Sequence, residues 1–175
     1  ATLTWRPFML NPEMPSAGME RNAYMINKFG TESRVRRLLG ALEATGQSEE
    51  IAFQFDRIHH TPSTVNAHRL VHYASEFGLA ESVVERLFQA FFQEGRDIGD
   101  LEELSAIGRS VSLESGSLDA YLDSSMDVSW VRDQNSMAHR MGVNGVPCFL
   151  VDAQLALQGA QPPEVLARLL DAAAA

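Results

Sequence analysis

One cysteine, Cys148, stands among 175 residues, so an intrachain disulfide framework and a two-cysteine exchange within the chain are both excluded. The absence of a framework suits a reducing compartment without establishing one. Basic residues are also few. Fourteen Lys and Arg against 23 Asp and Glu leave a formal charge of −9, which argues against nucleic acid or an anionic membrane as the main partner. The acidic excess gathers between Glu94 and Asp133, where ten acids face three arginines, and it reads most simply as a solvated surface. No apolar run approaches the roughly 20 residues that a membrane-spanning helix needs. Internal repeats, a phosphate-binding glycine loop, a zincin motif and a serine-nucleophile elbow are missing as well. What remains, 45% hydrophobic and 21% charged, can bury one good core but is short for two domains of ordinary size.

The periodicities predict a strand, many helices, a hairpin and a last helix. Leu3, Trp5 and Phe8 alternate around Pro7 and predict a strand over Thr2–Arg6, followed by a breaker-rich loop from Asn11 to Gly18. Short helices are expected over Met19–Phe29 and from Ser33 to Gly46, with Ile51–Asp56 as an extended connector. The clearest helical stripes are Ala67, Leu70, Val71, Ala74 and Phe77, closed by Gly78, and then Val83, Val84, Leu87, Phe88, Phe91 and Phe92, closed by Gly95. Helices at Leu101–Ile107 and Ser115–Leu122 follow, and another carries Val128, Val131, Ala138 and Met141 to a stop at Gly142. Val146–Val151 and Leu155–Leu157 read as a hairpin turning at Asp152-Ala153-Gln154, and Pro162-Pro163 start the terminal helix. The expected core is Leu3, Trp5, Phe149, Val151 and Leu166, with Val71, Leu87, Phe88 and Phe91 buried in the helical part.

Four groups of residues invite chemistry. Gly142-Val143-Asn144-Gly145-Val146-Pro147 is either a loop before an edge-strand proline or a cis Val146–Pro147 turn that offers backbone groups to an extended peptide. Cys148 reads as a small buried hydrophobe; as a nucleophile it would need solvent access and a lowered pKa, and no basic neighbour adjoins it. His68, His72 and Glu76 share a helix face at i, i+4 and i+8, with His59, His60 and His139 as further candidate ligands, but His68 and His72 flank an apolar stripe. Structural or substrate-lining histidines are therefore expected, and no metal site. Asp97, Asp100, Glu102 and Glu103 surround a helix start, where carboxylates cap amides.

An ordered series of motifs runs through the chain: Trp5-Arg6-Pro7-Phe8, Leu10-Asn11-Pro12, Met14-Pro15, Gly18, Phe55-Asp56, Ala67-His68-Arg69-Leu70, Leu87-Phe88, Phe91 to Asp100, Gly142-Val143, Gly145-Val146-Pro147 and Gly159 to Pro163. With these the chain resembles the DsbA-like thioredoxin family, in particular its FrnE branch, related to 2-hydroxychromene-2-carboxylate isomerases and kappa-class glutathione transferases. Cys148 departs from the aromatic or aliphatic residue common there, and Pro62-Ser63-Thr64 from Pro-Asn-Thr.

The resemblance implies an α/β fold: a thioredoxin-like core from 1–15 and 126–175, interrupted by a helical insertion at 16–125. It also implies that a first strand and helix, carrying the catalytic cysteine motif, are absent and leave the core N-terminally incomplete. The implied activity is thiol–disulfide exchange in a complete protein, this chain alone being inactive. Pro147 is then the cis-proline of the active site, while Val146, Pro147 and His68 contact the substrate. No cofactor is expected, except glutathione under the alternative of an isomerase or transferase; a second alternative is a redox-inactive peptide-binding protein. The implied location is the cytoplasm. The implied partner is a protein or a small thiol or disulfide, not nucleic acid or a membrane, and a homodimer is compatible with the resemblance.

Overall fold

In a computed structural model, which describes residues 2–151 and 155–173, the chain forms two compact units, Ala1–Leu10 with Ser129–Ala175 and the intervening Asn11–Val128. In the intervening unit a two-residue strand, β1 (Met19–Glu20), leads directly into helix α1 (Arg21–Phe29). Gly18 at φ +70° turns the chain into β1, where a Cβ would collide with the His60 ring and approach the Thr61 carbonyl to 2.6 Å. That turn lets Met19 and Glu20 pair antiparallel with β2 (His60–Thr61), while the Glu20 carboxylate caps α1 by accepting from the N–H groups of Asn22 and Ala23.

These elements correct the expectation of a chain lacking its first strand and helix: a strand and helix are present near its start. The helix expected over Met19–Phe29 begins only at Arg21, because Met19 and Glu20 pair with β2 instead. A two-residue strand has no periodicity to detect; its pairing depends on residues some forty positions away.

Helix α2 (Glu32–Ser48) and a 3₁₀ turn at Phe55–Arg57 complete one side of this unit. The rest is α3 (Val65–Ser75), α4 (Ala80–Phe88), α5 (Leu101–Ser110) and α6 (Ser115–Asp123), with α4 continuing into a π turn at Gln89–Gln93. Ala67, Leu70 and Ala74 of α3 meet Val83 and Leu87 of α4, Leu104 and Ile107 of α5, and Leu118, Tyr121 and Leu122 of α6 in one buried cluster. The three-and-four spacing of each stripe puts its apolar residues on one face, and burying those faces drives the assembly. Val71 packs against the cluster and Leu87 and Phe91 are buried, but Phe88 is exposed.

Asp100 caps α5 through the N–H groups of Glu102 and Glu103, and Asp97 Oδ1 accepts from Gly99 N at 2.8 Å. These two acids of the cluster therefore order a helix start.

The other unit is differently built. Residues 2–9 form no strand, and Leu3 is 63% and Trp5 39% exposed, against the core expected there. Alternation supplies a side-chain pattern, but a strand also needs backbone partners, and Pro7 offers no N–H. The segment is held instead by helix α7 (Val128–Arg140): the Met9 amide donates to buried Asn135 Oδ1 at 2.7 Å, Arg6 donates to Gln134 Oε1 at 3.0 Å, and the Phe8 ring lies 4.8 Å from that of His139.

After α7 come β3 (Cys148–Val151), β4 (Leu155–Gln158) and α8 (Pro163–Ala173). β3 and β4 pair antiparallel from Cys148↔Gln158 to Val151↔Leu155, so the expected hairpin partners meet, while its expected turn, Asp152-Ala153-Gln154, lies outside the described residues. Phe149, Val151 and Leu166 are only partly buried.

Candidate functional site

The approach to β3 is set by how α7 ends. Gly142 at φ +82° donates to His139 O at 3.0 Å, and Val143 N donates to Ala138 O at 3.0 Å, the paired bonds of a Schellman stop. Val143 is buried and anchors the turn. The Gly142 carbonyl then accepts two side-chain amides, Asn144 Nδ2 at 3.0 Å and Gln158 Nε2 at 3.2 Å, which tie the loop to β4.

Val146 follows, 51% exposed, and the Val146–Pro147 peptide bond is cis. Gly159 N donates to Pro147 O at 2.8 Å and fixes the proline beside the end of β4. The Val146 N–H and C=O have no hydrogen-bond partner among the described residues. Beyond them β3 pairs with β4 alone among the described strands, so its second edge presents main-chain groups that no strand takes up. Cys148, the single thiol, is half-buried on β3 opposite Gln158.

Val146 and Pro147 thus adjoin on one turn. His68, the other expected substrate contact, lies half-buried on α3 in the helical unit. His72 Nε2 stands 3.9 Å from Asp127 Oδ2 and His60 Nε2 stands 3.8 Å from Asp97 Oδ2; no group of three or more His, Cys, Asp or Glu among the described residues is arranged to hold a metal ion. Asn144, Gln158 and Gly159, which hold the turn, were not singled out from the sequence individually. Asn144 and Gly159 fall within the Gly142–Pro147 and Gly159–Pro163 motifs, but a lone amide carries no periodic signal, and Gln158 falls in neither motif.

The motif around Arg69 has a structural role. Its guanidinium is 1% exposed and donates to the carbonyls of Tyr121, Leu122, Ser124 and Met126 and to Asn66 Oδ1, at 2.6 to 3.2 Å. Tyr121 and Leu122 belong to the last turn of α6, where carbonyls lack helical partners and the helix dipole is negative. The cation also stands 4.8 Å over the Tyr121 ring. Burial, reinforced by the hydrogen bond to Asp127, pushes the Tyr121 hydroxyl far above the usual tyrosine range, so it stays protonated as a donor.

Comparison with known proteins agrees with this architecture. A DSBA-like thioredoxin domain matches residues 1–171. The crystal structure of a probable DsbA oxidoreductase from Streptomyces coelicolor superposes with a TM-score of 0.85 at 27% identity, covering 96% of this chain and 73% of that one. The uncharacterized protein YwbO of Bacillus subtilis (strain 168) is 24% identical over 148 residues, 84% of this chain and 70% of its own length. These likenesses support an α/β thioredoxin-like core with a helical insertion; they stand at the level of the family, not of the FrnE branch. They also correct the cytoplasmic placement, because DsbA-type disulfide formation is chemistry of an oxidising, extracytoplasmic environment and a missing disulfide framework is no counterweight to it. Matched over nearly its whole length, the chain belongs to the DSBA-like thioredoxin domain family.

Proposed function

We propose that this chain serves thiol–disulfide exchange by holding an extended, disulfide-bearing polypeptide against the Val146–Pro147 turn and the free edge of β3, without carrying out a complete exchange cycle by itself. The observation behind this reading is the exposed Val146 at the head of β3: among the described residues its N–H and C=O are unpaired and the strand is paired on one edge only. An extended peptide can satisfy such groups by adding as a strand. Side chains of alternate peptide residues would then fall on the same face as Val146.

The limit on chemistry follows from counting sulfur. In exchange, a thiolate attacks one disulfide sulfur, a new S–S bond forms, and the other sulfur leaves as a thiolate; a second thiol must then resolve the mixed disulfide. With Cys148 alone, the chain has no second thiol for that step.

Two measurements test the proposal. The purified 175-residue chain is expected to leave the rate of insulin reduction by a small thiol at its background. Binding of an extended disulfide-containing peptide is expected to weaken about tenfold in Val146→Asp, which sets a charge beside the edge. Efficient insulin turnover by the chain, or unaltered peptide affinity in the variant with its fold intact, contradicts it.

A further inference from the structure

We propose that the helical unit docks an arginine-bearing polypeptide segment of a partner on an aromatic patch formed by residues 51–55 and the end of α4; this does not rest on the reading of β3. Four rings make the patch. Phe53 and Phe55 stack with their centres 4.9 Å apart at 16°, and Phe92 stands nearly edge-on to both, at 5.9 and 6.4 Å. Phe88 adds a ring 6.1 Å from that of Phe92 and is 54% exposed, while Phe53, Phe55 and Phe92 are half-buried and Ile51 is exposed. Folding thus leaves contiguous aromatic surface in water, and covering it is favourable.

Main chain holds the patch in shape. In the π turn Phe91 is buried, whereas Phe92 is half-buried and its carbonyl accepts from Gln54 N at 2.8 Å, which ties residues 51–55 to the end of α4. A Cβ on Gly46 would stand 2.5 Å from the Phe53 ring, so α2 closes directly onto that ring. Rings fixed in this way lose little freedom when a partner lies on them.

Charge selects the partner. Glu81 and Glu85 precede Phe88 at helical spacing, i, i+4 and i+7, and so share its side of α4, while Glu49, Glu50 and Asp56 flank the segment that carries Phe53 and Phe55. All five acids are exposed, and none stands within ion-pair distance of a cation among the described residues. Arg57 and Arg86 are the cations of the same two stretches, and Arg86 is taken up by Glu94. A second copy of this chain, at −9, or an anionic lipid would bring like charge to this surface. Arginine answers both features at once. Its planar, weakly hydrated guanidinium stacks on a ring and donates in parallel to a carboxylate, whereas the lysine ammonium is a strongly hydrated point charge.

Hexa-arginine and hexa-lysine, equal in charge, titrated into the full chain at physiological ionic strength test the patch. Saturable binding of hexa-arginine is expected, about tenfold tighter than that of hexa-lysine. Phe88→Ser, at an exposed position, should remove that preference, and Glu81→Gln combined with Glu85→Gln should weaken both peptides. In ¹⁵N-resolved NMR the largest shifts with hexa-arginine should fall on residues 51–55 and 88–93. Absence of saturable binding, equal affinity for the two peptides, an unchanged ratio in Phe88→Ser, or shifts gathered on the acidic residues 100–123 with 51–55 unmoved overturns the proposal. Should a variant fail to fold, the arginine–lysine ratio and the shift map of the unaltered chain decide it.

Discussion

The two units bury their side chains very differently. Between Asn11 and Val128, four helices contribute stripes to one cluster in which Leu70, Ala74, Val83, Ala90, Leu104 and Leu118 are wholly buried. In the other unit, burial is confined to a few points such as Met9, Val131, Asn135 and Val143, while Leu3, Trp5, Leu150 and Leu170 stand exposed. One unit is organised around a core, and the other presents a paired strand with an unused edge. Two strands alone make a marginal sheet, so a free edge is also where added main chain gains most.

The largest expected effect lies at Arg69. Arg69→Met would strip four backbone carbonyls and Asn66 of their buried donor, and it should destabilise the helical unit by about 3 to 5 kcal/mol in urea denaturation. A loss below about 1 kcal/mol would show that water replaces the guanidinium, and the view of α6 as capped from α3 would fail.

A pair of leucines then tests the contrast itself. Leu104→Ala, in the cluster, should cost about 3 kcal/mol, whereas Leu170→Ala, on the 47% exposed residue of α8, should cost less than about 0.5 kcal/mol. Equal losses in denaturation midpoints would erase the distinction between the units.

The smallest effect is electrostatic. Its hydrogen bond to Arg86 holds the Glu94 carboxyl below the usual glutamate range. A carboxyl depressed by folding contributes stability above its unfolded value and loses it as pH falls through its folded value. Glu94→Gln should therefore cost about 0.5 kcal/mol near neutral pH, a small figure because the side chain is 41% exposed, and the cost should vanish in acid. A cost that grows toward low pH would reverse the assignment.

Much of the helical unit was legible because helix periodicity is local. The stripe from Ala67 to Ala74 and the Leu118, Tyr121, Leu122 face appear within a few turns of sequence, and Gly78, Gly95 and Gly142 mark stops where the backbone does take positive φ. What depends on distant partners was not legible. Thr2–Arg6 had a strand's alternation but no strand to join, β1 had a partner but no alternation, and Arg69 looked like one member of a motif until α6 supplied its carbonyls. At the candidate site, Val146 and Pro147 stood out through the glycine-rich approach to an apolar run. The amides of Asn144 and Gln158 that converge on Gly142 O did not, since that convergence exists only in the fold.

The most direct test of the account is where an extended peptide binds. In an amide-resolved NMR titration of the ¹⁵N-labelled chain with a disulfide-containing peptide, the largest shifts should fall on Val143–Val151 with the exception of Pro147, which has no N–H, and the amides of α3 to α6 should stay unchanged. Shifts concentrated in the helical cluster, with Val146 and β3 unaffected, would contradict the claim that the free strand edge is the working surface.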